Sequence, residues 1–331
     1  MKAMAITAHG GMDKVQYMDV ERPQLGPREV LIETPECVFD SGTRDVNSSK
    51  ALKLQFEEGR LVLEGEGFSW QQTNAFLAVS NRVRTQVRGS VLPAQPDAKS
   101  PANVLAHGDT EIRSDWFNYD HKAAVALYRG NVRVASSNLS LACGVLTFKL
   151  PATGSNTLEL LMADENVVLR MDDLQASGAR AVYTPTNGVL HLSGHATWQT
   201  QGREGQGSEM VLNSTTRTLQ VNGRASLKLP VSGSGFVPQQ ANFIRTGSAT
   251  NRFVAIASER YELQTNRATF IGTVRVTERL GDQELASLTC GTLLAMLGAS
   301  NQLQSLVAEQ KVILAESDRR LSGEKAAYDG A

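Results

Sequence analysis

The chain has 331 residues, a formal net charge of −1 and an apolar share of 41%. That length suits about two domains with a sizeable core. A pI near 6.5 excludes a global field for nucleic acid, and without an apolar run of about 18 residues no helical membrane span is expected.

The opening segment, with Gly10-Gly11 and then Val20-Glu-Arg-Pro-Gln-Leu-Gly-Pro-Arg-Glu-Val-Leu-Ile32, resembles the start of a medium-chain alcohol dehydrogenase or quinone reductase. The likeness is limited to residues 1–35, about a tenth of the chain. Neither a Gly-His-Glu zinc segment nor a Gly-x-Gly-x-x-Gly between strand and helix follows, so no dehydrogenase chemistry carries over. Residues 1–10 hold no apolar stretch of secretory-signal length.

From Val30 the text alternates as strands do. Val30 to Asp40 reads as one strand, and Ala51-Leu-Lys-Leu-Gln-Phe56 alternates strictly, with a hairpin turn signal at Glu58-Gly59. Leu61 to Trp70 and Ala75 to Val87 continue the pattern, and residues 89–103 are a Pro/Ser/Ala linker. Strands resume at Val104 and run to Leu229, and a second linker spans Pro230 to about Asn251. No segment keeps a 3.6 period, so little helix is expected.

One phrase occurs twice. Ala126-Leu-Tyr-Arg-Gly-Asn-Val-Arg-Val134 returns as Ala268-Thr-Phe-Ile-Gly-Thr-Val-Arg-Val276. The strands after it return too: Leu141-Ala-Cys-Gly144 as Leu288-Thr-Cys-Gly291, then Asn166-Val-Val-Leu169 as Lys311-Val-Ile-Leu314. The copies lie about 145 residues apart in the same order, which is an internal repeat. Gly130 marks a bend or bulge in its strand.

Alternation predicts one inward face made of Val132, Val134, Val167, Leu169, Leu190, Leu192, Val274, Val276, Val312 and Leu314. Arg133, His191, Arg275 and Ile313 point away from it. Stacked hairpins burying that face between two sheets give a sandwich or jelly roll. An open end of such a stack leaves an unpaired edge for another domain or chain.

The ordered phrases Tyr128-Arg-Gly-Asn-Val-Arg-Val134, Ala163-Asp-Glu-Asn-Val167, Ala176-Ser-Gly178 and Gly188-Val-Leu-His-Leu-Ser-Gly-His-Ala196 resemble the OstA-like domain of lipopolysaccharide-transport periplasmic proteins, the LptA/LptC-like family. The likeness is best over residues 110–229 and again over 253–331, with a fainter, LptC-like unit in 30–88. The resemblance implies an all-β fold, a twisted β-jelly roll of stacked antiparallel repeats. Its divisions are expected at 1–88, 104–229 and 251–331. It implies a non-enzymatic bridge between inner and outer membranes, in the periplasm, with lipopolysaccharide acyl chains in an apolar groove formed by the ten inward residues. Partners implied are lipopolysaccharide or a similar amphipathic lipid, and other Lpt-type jelly rolls added end to end by edge-strand pairing. No cofactor, metal or nucleic acid is implied.

Other chemistry is thinly supported by the residues. Cys37, Cys143 and Cys290 lack CxxC spacing and read as small apolar fillers. His191 and His195 suit a metal on a helix, not on a strand, where they stand about 13 Å apart. Asp164-Glu165 and Asp172-Asp173 read as solvated carboxylates, and Gly202-Arg-Glu-Gly-Gln-Gly207 as a flexible turn without a phosphate-loop Lys. Arg82, Arg84 and Arg88 are candidates for a lipid phosphate. Trp70, Trp116 and Trp198 read as core or strand-end aromatics. As exposed platforms they would instead make the chain a carbohydrate-binding or adhesin-like module, and a ligand-free scaffold is the other alternative.

Overall fold

Alternating apolar and polar residues leave each strand one face to bury, and a chain with many such strands buries them by pairing neighbours and folding the sheet over itself. The structure, a computed structural model, describes residues 2–6, 15–19, 21, 30–56, 60–88, 109–137, 139–151, 158–200, 202–230, 252–297, 303–316 and 319–329. The Glu58-Gly59 turn, the start of the strand run at 104–108, the whole first linker and all of the second but Pro230 lie outside these residues.

Among the described residues there are strands and no helix. A hairpin of β1 (Lys2–Ile6) and β2 (Val15–Asp19) forms its own two-stranded sheet. The main sheet begins with β3 (Val30–Glu33), β4 (Val38–Asp40), β5 (Asp45–Phe56), β6 (Leu61–Gln71) and β7 (Phe76–Val87). It continues through β8 (Thr110–Ser114), β9 (Trp116–Asp120), β10 (Val125–Ala135), β11 (Leu139–Lys149), β12 (Leu160–Met171), β13 (Leu174–Thr184), β14 (Val189–Thr200), β15 (Arg203–Asn213) and β16 (Thr218–Pro230). It ends with β17 (Arg252–Gln264), β18 (Arg267–Leu280), β19 (Gln283–Leu297), β20 (Leu303–Glu316) and β21 (Arg320–Asp329).

β3 and β4 both pair antiparallel with β5, β8 and β9 both lie between β7 and β10, and every other strand of the main sheet pairs antiparallel with the next, the ladder continuing from β16 to β17. The pairings close on themselves only locally, where β8 and β9 both bridge β7 and β10 as one interrupted strand. Among the described residues no ladder joins β21 to β3 or β4, so these are the two edges. The expected single strand from Val30 to Asp40 is split into β3 and β4 around Pro35, whose ring nitrogen has no hydrogen to give to a ladder.

The two layers do not come from different hairpins. Nearly every strand bends in the middle and contributes to both. The register skips at equivalent points along the ladder, between Arg129 and Val132, Ala142 and Val145, Asp164 and Val167, and so on to Glu309 and Val312. Backbone at these corners is left-handed on alternate strands: φ is 75° at Gly130 and 49° at Asn131, and 82° at Gly272 and 44° at Thr273. Gly130 is therefore the bulge expected of it. Residues such as 125–129, 145–149 and 160–164 form the first half-sheet, and residues such as 132–135, 139–143 and 167–171 the second.

The repeat holds at the level of register. Val132 faces Cys143 and Val134 faces Leu141, and likewise Val274 faces Cys290 and Val276 faces Leu288. A Cβ on Gly144 would meet Glu165 Oε2 at 2.2 Å, and one on Gly291 would meet Gln310 Oε1 at 2.2 Å. Both corners thus need glycine beneath the long side chain of the next strand. The run from Gly202 to Gly207 is not a flexible turn: apart from Gly202 it lies in β15. Its glycines are explained by neighbours crossing over them, Trp198 and Tyr261 above Gly205 and Val221 above Gly207.

Candidate functional site

The space between the half-sheets is the molecule's apolar interior. Val132, Val134, Val167, Leu192, Val274, Val276 and Val312 are buried there, with Leu169, Leu190 and Leu314 half-buried against them. Eight of these ten lie on the second half-sheet. Leu190 and Leu192 lie on the first and face the others, which departs from the single face read from alternation. The reason is local: Gly188 closes the turn before β14, and the corner of that strand is Gly194-His195. A phrase with the same spelling therefore sits on the other side of the bend.

A cavity of about 90 Å³ lies between the layers. Val134, Leu169, Leu190 and Leu192 line it, with Ile112, Leu141, Phe148, Leu161 and Tyr183. Val132, Val167, Val274, Val276, Val312 and Leu314 do not line it. Sequence reasoning took only alternate strands, β10, β12, β14, β18 and β20, so it missed Leu139, Leu158 and Tyr183, and also Thr110. The alternation of Leu139 and Leu141, and of Ala181 and Tyr183, was the signal available for the partner strands.

Two hydrogen bonds cross the interior. Tyr128 Oη donates to Thr85 Oγ1 at 3.1 Å, and Trp198 Nε1 donates to Tyr261 Oη at 2.9 Å, each joining one half-sheet to the other. Burial pushes the Tyr128 phenol up to about 12, against the opposing effect of the Thr85 bond. It pushes Tyr183 up to about 12 and raises Tyr261 as well. An unfolded tyrosine ionises near pH 10, so on raising the pH the unfolded chain loses these protons first. Their contribution is fully present below about pH 10 and is lost as the pH rises through about 12. For Tyr128 the gap is worth about 2–3 kcal/mol. The urea midpoint is expected to fall steeply across that window, and less steeply in Tyr128→Phe. A midpoint unchanged from neutral to strongly alkaline pH would contradict this.

The remaining candidates are accounted for one by one. Cys143 and Cys290 are buried in strands; burial, then the nearby Asp164 and Glu165 carboxylates, push Cys143 to about 12, and burial pushes Cys290 to about 11. Cys37 is exposed. His191 meets Glu209 at 3.2 Å while His195 occupies a corner with φ 57°, so the two do not converge. Asp164 pairs with Arg180 at 3.4 Å, and Asp173 accepts a bond from Thr200 at 2.7 Å. Among the described residues no group of three or more His, Cys, Asp or Glu could hold a metal.

Arg82 reaches Glu66 at 2.8 Å, and Arg84 donates twice to Glu111, at 3.1 and 2.7 Å. Arg113 also donates to Glu111, whose carboxyl is held below its ordinary value chiefly by the Arg84 bond. Arg88 follows β7, with its backbone N–H on the Arg60 carbonyl at 2.8 Å. Trp70 and Trp116 are half-buried, and Trp116 lies 5.6 Å beneath the Arg129 guanidinium. Trp198 is 4% exposed, which removes it as a surface platform.

Residues 111–226, about a third of the chain, match the family described as LptA/(LptD N-terminal domain) LPS transport protein. The matched span coincides with β8 through β16, the stretch over which the likeness was best in sequence. No curated protein sequence matches the chain. The solved structure of LptH, the LptA-homologous periplasmic component of the lipopolysaccharide transport device of Pseudomonas aeruginosa, is 20% identical. It aligns over 34% of this chain and 82% of its own, with a TM-score of 0.32. The matched segment holds most of the cavity wall, with Val87 and Thr110 preceding it, together with Tyr128 of the bond to Thr85 and Trp198 of the second bridge.

Proposed function

We propose that this chain is a non-enzymatic carrier in lipopolysaccharide transport, passing acyl chains along the apolar seam between its half-sheets. The observation that carries the reading is the interior itself, apolar from Leu52 on β5 to Val312 on β20, with charged side chains nearly all outside. Removing apolar surface from water is worth about 25 cal/mol per Å² and has no preferred direction. A chain held this way slides without any single costly step.

A dry cavity of roughly 150 Å³ takes a benzene ring, so the space of about 90 Å³ takes only a short piece of chain. Passage therefore needs the half-sheets to part on the side away from the corners. The setting is the envelope between the two membranes. The unpaired sides of β21 and of β3 and β4 suit end-to-end addition of other jelly rolls, with Val38 and Phe39 exposed on β4.

The test is photocrosslinking with lipopolysaccharide from single probes at Val134 and Val276, each compared with its outward neighbour, Arg133 or Arg275. Lipid adducts are expected from the inward pair alone. Equal labelling of both faces, or none from a folded protein, would mean that the interior is only packing and leave a scaffold. Val134→Ala should weaken lipid binding only mildly, by about 1 kcal/mol or less, because the grip is shared.

A further inference from the structure

Thr110 opens β8 and is 5% exposed. Its side chain lines the cavity, yet among the described residues its Oγ1 is buried with no hydrogen-bond partner. Val87, its register partner, lines the same cavity, as do Leu139, Leu158 and Met171. Tyr183 and Ser214 also bring hydroxyls to the wall, and Ser214 donates to the Gly188 carbonyl oxygen at 2.9 Å. A buried hydroxyl with nothing to bond is unfavourable.

Packing does not require that hydroxyl. Ser114 and Ser258 each donate to the carbonyl two residues on, of Trp116 and Arg260, and Asp115 and Glu259 each stand over a corner glycine, Gly130 and Gly272. β8 is therefore the counterpart of the first half of β17. Four residues before each serine stand Thr110 and Val254. Val254, 3% exposed, fills the same place with the same shape and no oxygen.

We infer that Thr110 is a specificity residue of the seam: it selects acyl chains that carry a hydrogen-bonding oxygen, hydroxyl or carbonyl, at its depth over plain hydrocarbon. The inference rests on the lipid reading above. The Thr110 hydroxyl donates to the chain oxygen, and a chain hydroxyl can donate back.

The experiment measures binding of dodecanoic acid, and of hydroxy- and oxo-dodecanoic acids substituted near the head, mid-chain or near the tail, to the full chain. Thr110→Val and Thr110→Ser are measured alongside. One substituted position is expected to bind about five-fold tighter than the plain acid, in the wild type and in Thr110→Ser. Thr110→Val should still take up dodecanoic acid and lose the preference. Hydroxy and oxo arms separate a donating from an accepting oxygen. Equal affinity for all acids in the wild type would overturn the inference, since a resident water then satisfies Thr110; so would a preference that survives Thr110→Val. No uptake of any acid would overturn the lipid reading itself.

Discussion

Gly205→Ala should cost about 3 kcal/mol and break the bridge between Trp198 and Tyr261. Gly205 faces Trp198 across the β14–β15 ladder and faces Leu227 on β16. A Cβ there would lie 2.3 Å from Trp198 Nε1 and 2.3 Å from Tyr261 Oη. Neither ring has room to retreat: Trp198 is 4% exposed, and Tyr261 is 1% exposed with Phe270 packed 5.4 Å away, centroid to centroid. Overpacking a dense core forces side chains off their rotamers, and separating the rings leaves a buried indole N–H unpaired. Denaturant melts should show the loss, with the tryptophan signal of the folded state shifted toward that of a wetter indole. Adding Trp198→Phe should restore part of the loss, because the atom that clashes is gone. A Gly205→Ala protein as stable as the wild type would show that the layers are not pinned there.

The legible part of this fold was its alternation and its repeat. Val132, Val134, Val274 and Val276 were readable as inward because period two survives any bend, and Gly130 as a bend because its phrase recurs around Gly272. What could not be read was which layer a residue joins. That depends on where the corner falls, and corners at Glu165-Asn166 and Gln310-Lys311 carry no glycine at all. Their need for space is met on the neighbouring strand, by Gly144 and Gly291, so the signal sits in a different part of the sequence from the bend. Leu190 and Leu192 were put on the wrong layer because the turn glycine Gly188 is spelled like a corner glycine, while the corner of β14 lies at Gly194-His195. Gly205 was read as turn because glycine in a strand has meaning only once the crossing side chains are known. Thr110 had no signal in any one-strand pattern, since its importance is the absence of a partner across the seam.

Arg252→Ala is the second large effect expected, about 3–5 kcal/mol, concentrated in β17 to β19. On β18 the inward row that begins with Val274 and Val276 continues to Glu278, which is 0% exposed. The Arg252 guanidinium, itself 11% exposed, meets that carboxylate in an ion pair. Val254 and Ala286, the register partners of Glu278, are themselves buried. In the first copy the counterpart of Glu278 is Ser136, and there the cavity opens beside Thr110. In the second copy an ion pair occupies the same margin. Cutting Arg252 back to alanine leaves a buried carboxylate without its guanidinium, and the penalty comes from that desolvated charge more than from the pair's own attraction. Replacing both partners, as in Arg252→Met with Glu278→Leu, should return stability to near the wild-type value or above it. Hydrogen exchange can localise the change: faster exchange in β17 to β19, with β10 to β13 untouched, is the expected pattern for neighbour-coupled repeats. If the single variant exchanges like the wild type, the ion pair is not what closes this end of the seam.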